Sequence, residues 1–241
     1  MAEYEHDILI LPDIHGRTFW EEAVTEMEKY DKVVFLGDYL DPYRHEGIME
    51  DDALLNFYRI IDFTQAHQSK VILLLGNHDM HYVSEEYAHI ALSSRYDEDR
   101  AEEYHQLFEE HRQLFSLAWE TAWKDKKVLF THAGVSQGWY QVNKRVIGEL
   151  NSENLNHLLE TSEGIKTLAQ IGYERGGLFR WGSMVWADVY ELALYKSFPD
   201  IIQVFGHSQQ HAHPLYGKNW ACLDCRKAFR LTTVMEHFDN K

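Results

Sequence analysis

Five short stretches deliver His, Asp or Asn directly behind an apolar run. DILILPDIHG sets Asp13 and His15 after residues 8–11, and KVVFLGDYLD sets Asp38 and Asp41 after residues 33–36. VILLLGNHDM sets Asn77, His78 and Asp79 after residues 71–75. KVLFTHAG sets His132 after 128–130, and IIQVFGHSQQH sets His207 after 201–205. A single polar turn that caps a strand is ordinary. Five turns that all supply nitrogen and oxygen donors at strand ends point to a metal centre, because these donors suit divalent transition cations.

The elements that must position these residues follow from the hydrophobic pattern. Short apolar runs closed by Gly read as strands buried on both faces, and in open α/β sheets ligands sit beyond the carboxyl ends of such strands. The sequence predicts a strand over residues 6–11, a helix over 18–29, a strand over 32–36, a helix over 51–67 and a strand over 70–75. That βαβαβ order signals a mostly parallel sheet and an α/β fold. Residues 84–120 interrupt the alternation. Tyr104, Leu107, Phe108, His111, Leu114, Phe115, Ala118 and Trp119 follow helical spacing, which predicts one long amphipathic helix with His111 on its apolar, core-facing side and an acidic solvated face. A strand over 127–131 resumes the sheet and helical patterns fill 137–172. A strand over 201–205 leads to a β-rich end, with apolar stretches at 219–223 and 228–235. No repeat or linker divides the chain, so it reads as one domain, 1–241, with a helical insertion at about 84–120.

Composition narrows the functions. The 241 residues are 45% hydrophobic and 14% aromatic, enough for a sizeable core. A net charge of −16 argues against a general nucleic-acid binder, since phosphate backbones need basic surface. No signal peptide or membrane span is visible, so the expected location is cytoplasmic, with no membrane partner. The two cysteines, Cys222 and Cys225 in ACLDCRKAF, form a lone C-x-x-C. They read as buried thiols, because a zinc site would need two more ligands nearby. ERGGLFRWGS is Gly-rich but lacks the spacing of a phosphate-binding loop.

D-x-H, G-D-x-x-D, G-N-H-D, H-A-G and G-H occur here in the order found in calcineurin-like metallophosphoesterases, and the chain resembles that family over nearly its whole length. The resemblance implies a sandwich of two mixed β-sheets flanked by helices, with two divalent ions (Mn, Fe or Zn) at the strand ends. It implies that Asp13 and His15 hold the first metal, that Asn77, His132 and His207 hold the second, and that Asp38 bridges them. His78 would face the substrate as general acid or oxyanion stabiliser, oriented by Asp41, whose charge would raise its pKa. Asp79 would support the surrounding shell. Two cations can hold a phosphoryl group and generate a hydroxide nucleophile at neutral pH. The implied activity is hydrolysis of phosphate monoesters, small-molecule or phosphoprotein, by a metal-bound hydroxide. Diadenosine polyphosphate hydrolysis and phosphodiesterase or nuclease activity are the alternatives. A non-catalytic metal-binding scaffold is disfavoured, since a scaffold has no need of His78.

Two departures from the pattern carry information. Many family members read G-H-x-H, with the second His on the first metal; here Gln209 stands at that place, unless His211 or His213 reaches in. The chain is similar in this to the protein-phosphatase branch, which includes bacterial Ser/Thr phosphatases and diadenosine tetraphosphatases. That branch reads G-D-x-x-D-R-G, whereas Asp41 is followed by Pro42, Tyr43 and Arg44. Arg44, Arg17 and Arg180 are therefore the candidates for binding phosphate. WADV at 186–189 weakly resembles that branch's W-S-D-P.

Overall fold

A computed structural model describes residues 7–194 and 198–239. Among the described residues, ten strands form two five-stranded sheets. The first holds β1 (Asp7–Leu11), β2 (Tyr30–Phe35), β3 (Val71–Leu74), β4 (Phe115–Ser116) and β10 (Phe229–Arg230), in the order β10-β1-β2-β3-β4. β1 to β4 are parallel and β10 is antiparallel to β1. The second holds β5 (Ala118–Trp123), β6 (Lys126–Thr131), β7 (Ile201–Phe205), β8 (Leu215–Tyr216) and β9 (Trp220–Cys222), in the order β5-β6-β7-β9-β8. Its β6-β7-β9 centre is parallel and both edges are antiparallel. Both sheets are mixed, as the resemblance implied. The expected first strand began at residue 6, which lies outside the described residues.

The unbroken apolar runs are explained by burial on two sides. Ile8, Ile10, Val34, Leu36 and Leu74 pack against Val128, Phe130, Ile202, Val204 and Ala221 between the sheets. The alternate residues Leu9, Leu11, Val33, Phe35 and Leu73 turn the other way, into a cluster with Trp20, Leu54, Phe57 and Ile60 from flanking helices. Burying one such side chain is worth roughly 1.5–3 kcal/mol, so neither face tolerates a polar residue easily. The polar residues are pushed to the strand ends.

Two expected elements differ. The long helix ends early: residues Ala101–Glu110 are helical, but Phe115 and Ala118 to Trp123 are strand. β5 pairs with β6 over six residues, Ala118↔Thr131 to Trp123↔Lys126, and that ladder overrides the local helical spacing. His111 caps the helix at a half-buried position beside Gln65 Nε2 at 3.3 Å, rather than lying in the core. The stretch 228–235 is strand only at Phe229–Arg230. Leu231–Asp239 is a helix that buries Leu231, Val234, Met235 and Phe238. Among the described residues no helix is long and apolar enough to cross a membrane.

Candidate metal centre

The residues behind β1, β2, β3, β6 and β7 converge at one end of the sandwich. Sharp turns are needed for a strand to stop and present a side chain to this common point. His15, Asp38, Asp41 and His207 all have positive φ, at 44°, 57°, 54° and 63°. Non-glycine residues seldom adopt that region, and it costs on the order of 1 kcal/mol or more each. Glycine serves where chains approach most closely. A Cβ on Gly76 would overlap Asp38 Oδ1, and one on Gly206 would overlap Asp13 Oδ2.

Asp38 sits at the middle. Its Oδ2 lies 3.3 Å from His15 Nε2 and 3.4 Å from His132 Nε2, and its Oδ1 accepts the His78 N–H at 3.0 Å. His132 Nε2 is also 3.1 Å from Asn77 Oδ1 and 3.1 Å from His207 Nδ1. Asp13 lies alongside, its carboxylate accepting the His207 N–H at 2.8 and 3.0 Å. The six residues expected as metal ligands are thus brought together. His15, Asp38 and His78 form one cluster that could hold an ion; Asp38, His132 and His207 form another.

The surroundings fit divalent cations. His15 Nδ1 faces Leu40 O at 2.9 Å and His132 Nδ1 faces Leu36 O at 2.7 Å. Each contact fixes the ring with Nδ1 as donor and leaves Nε2 free to bind a cation, an arrangement typical of metal-ligating histidines. His207 Nε2 is buried without a hydrogen-bond partner. Burial pushes Asp38 up, but His132, His78 and His15 outweigh it and hold the carboxyl well below its usual range. Asp13 goes the other way: burial, then the charges of Asp224 and Asp38, push it well above. Burial lowers His132 and His207, which keeps their lone pairs available. Asp79 accepts the N–H groups of Gly76, Asp38 and Tyr39 at 2.7, 2.7 and 2.9 Å, tying the β2 turn to the β3 turn. If cations bind here, stripping the protein with EDTA should lower its melting temperature and added Mn²⁺ should restore it. A site bound only in the folded state adds about 2.7 kcal/mol at a hundred times its Kd. Melting that responds to neither would remove the metal reading.

His78 stands beside these ligands. Its Nδ1 is 2.7 Å from Asp41 Oδ2, and Asp41 also takes His81 Nε2 at 3.0 Å and the Tyr82 hydroxyl at 2.6 Å. His78, His81 and Tyr82 share one face of the helix Asn77–Val83. That i, i+3, i+4 spacing was visible in the sequence, although His81 and Tyr82 were not singled out from it. Asp41 was expected to raise the pKa of His78. Its charge acts in that direction, but burial outweighs it and His78 falls to about 4.

The arginines expected at phosphate lie elsewhere. A cavity of about 470 Å³ over the ligands is lined by His15, Asp38, His78 and His207, but not by Arg17, Arg44 or Arg180. Arg17 is buried and bound to Glu46 at 2.7 and 3.0 Å. Arg44 is exposed and paired with Glu50 at 2.6 Å, and Arg180 is exposed over the Trp181 ring. Arg95 and Arg175 line the cavity instead. Arg95 reaches His78 Nε2 at 3.1 Å and His15 Nε2 at 3.3 Å, and lies 3.7 Å from the centroid of the Tyr43 ring. Arg175 is held by Asp188 at 2.9 Å, the Asp of WADV, and by Ser208 Oγ at 2.5 Å. His211 and His213 are exposed, and neither joins a ligand cluster among the described residues. Cys222 and Cys225 are buried, unpaired thiols.

With five strand ends and their donors gathered at one point, the relationship can be stated: the chain belongs to the calcineurin-like phosphoesterase family, which it matches over residues 6–213. Among solved structures it is similar to the phosphatase domain from the Legionella effector WipB. Identity there is 14% and the TM-score 0.33, covering 57% of this chain and 51% of that one. No curated protein matches the chain.

Proposed function

We propose that this phosphoesterase is a metal-dependent phosphatase that hydrolyses phosphate monoesters, of a small molecule or a phosphoprotein, with two divalent ions. The observation that carries this reading is the His78 ring, set between Asp41 and Arg95 in the cavity that His15, Asp38 and His207 also line. Asp13, His15 and Asp38 would hold one ion, and Asp38, Asn77, His132 and His207 the other. The ions would supply Lewis acidity and activated water. The protein's own part is to position. Arg95 and Arg175 would grip the phosphoryl oxygens from two sides, where a planar guanidinium suits paired oxygens. Asp41 holds the His78 Nδ1–H, so that Nε2, which lies 3.1 Å from Arg95, would face a substrate bound in the same cavity. A second cavity of about 810 Å³, sharing Tyr43 and Arg95 with the first, offers room for the leaving group. Gln209 in place of the second His supports the protein-phosphatase branch over others. The same reading puts the enzyme in the cytoplasm, which suits its unpaired thiols.

The test is a panel assayed with Mn²⁺: alkyl and aryl monoesters, a phosphopeptide, a diadenosine polyphosphate, a diester and duplex DNA at moderate salt. Monoesters should be cleaved and duplex DNA ignored, since the −16 chain repels a polyanion. Preference for the diester or efficient DNA cleavage would overturn the assignment. Arg95→Ala tests the clamp. Loss of charge-assisted hydrogen bonds worth about 1.5–3 kcal/mol should lower kcat/KM roughly 10–100-fold and weaken inhibition by inorganic phosphate in parallel. Arg95→Lys should rescue only part. Unchanged phosphate inhibition in Arg95→Ala would show that Arg95 does not bind phosphate.

A further inference from the structure

The first-metal side of the centre is short of protein donors. Asp13, His15 and Asp38 are all the sequence supplies, because Gln209 is exposed and so are His211 and His213. The structure brings a further carboxylate to that side. β7 and β9 run parallel with Phe205 opposite Cys222, and the Leu223 N–H continues the ladder to Phe205 O at 2.8 Å. Just past the end of its strand, the Asp224 carbonyl accepts the Gln210 N–H at 2.7 Å, in the turn that follows His207. A sixth strand end is thereby tied to the turn that carries Gln209.

Asp224 is 4% exposed, and its Oδ1 is buried without a hydrogen-bond partner. A buried carboxylate oxygen in that state is costly unless something compensates it. The charges it feels, after the burial itself, are those of His15, Arg17, Asp38 and Arg226, and it is the strongest charge acting on Asp13. The two arginines do not neutralise it by contact. Arg17 is held by Glu46 at 2.7 and 3.0 Å, and Arg226 by the same Glu46 at 3.3 Å. Asp13, Asp38 and Asp224 are thus three buried carboxylates whose charges act on one another, and among the described residues none forms an ion pair with a lysine or arginine.

We propose that Asp224 is a ligand of the first metal and takes the place that Gln209 leaves open. The inference rests on the metal-centre reading above. On the first ion the donor set becomes Asp13, His15, Asp38 and Asp224, hard oxygens with one imidazole, which favours Mn²⁺ or Fe²⁺ over a softer ion.

Mn²⁺ binding to the metal-stripped protein decides it, followed by the EPR signal of free Mn²⁺ and by elemental analysis. The wild type should show two sites. Asp224→Asn and Asp224→Ala should weaken one site more than about 100-fold, beyond what outer-shell changes cost, and leave the other unchanged. Gln209→Ala should bind as the wild type does. In EDTA, Asp224→Asn should melt no lower than the wild type, because it removes a buried unpartnered charge; this separates lost ligation from lost folding. A wild type with two sites and Asp224 variants with a smaller change would overturn ligation by Asp224 alone. A wild type that takes up no Mn²⁺ would overturn the metal centre and this inference together.

Discussion

Asp38→Asn is expected to lose bound metal and activity together. Asp38 Oδ2 lies within 3.4 Å of both His15 Nε2 and His132 Nε2, so one anionic oxygen would serve both proposed ions. Asparagine keeps the shape and can still accept the His78 N–H, but it removes the charge that the flanking histidines stabilise. Losing a Lewis-acid contribution of several kcal/mol corresponds to a fall of about 10³-fold or more in kcat. Elemental analysis and kcat should fall side by side. An Asp38→Asn protein that retains two ions would show that Asp38 is not their bridge.

His78→Asn is expected to keep its metals and to lose rate unevenly. General acid catalysis contributes roughly 10²–10⁴-fold, and it matters most when the leaving group is a poor one. An alkoxide needs a proton in the transition state, whereas p-nitrophenolate hardly does. The variant should therefore lose much of its kcat/KM on an alkyl phosphate and less on p-nitrophenyl phosphate. Asp41→Asn should show the same bias more weakly. The lowered pKa of His78 sharpens the test. With no substrate bound the ring is neutral at pH 7, with its Nε2 lone pair toward Arg95. It must gain its proton when a phosphate dianion adds negative charge beside it. Equal losses on the two esters would mean that His78 acts by hydrogen bonding to the phosphoryl group. Loss of metal in His78→Asn would make it a ligand and reopen the role of Asn77.

The parts of the fold that the sequence made legible share one property: their signal is local. β1, β2, β3, β6 and β7 are apolar runs followed by a Gly or a polar turn, so strand, turn and donor could be read in one window. The helix expected through Leu114–Trp119 failed for the opposite reason. Its helical spacing is real, but its partner, β6, supplies a ladder that no local window contains. The helix Leu231–Asp239 did have local spacing, in Leu231, Val234, Met235 and Phe238, and was obscured by the strand beside it. Arg95 is different again. Nothing in SSRYDED marks an arginine that will lie over Tyr43 and reach His78, because both partners come from other turns. Asp224 carried the same signature as the five motifs, an apolar run ending in Asp. The flanking C-x-x-C drew the reading to its sulfurs instead.

The register that joins these strand ends also fixes when the centre can exist. Asp13 meets the His207 N–H across 194 positions of sequence, and β1 is sealed along one edge only when Arg230 pairs with Leu9. On a ribosome, at about 5–20 residues per second, Asp13, His15 and Asp38 emerge on the order of 10–40 s before His207. During that interval the early donors have no closed site to form, and the β1 edge lies open to pairing with other chains. The donors behind β1 and β2 therefore cannot join those behind β7 until β7 has been made, and a chain stalled before β7 carries the Asp13 and Asp38 turns with no partner from the second sheet.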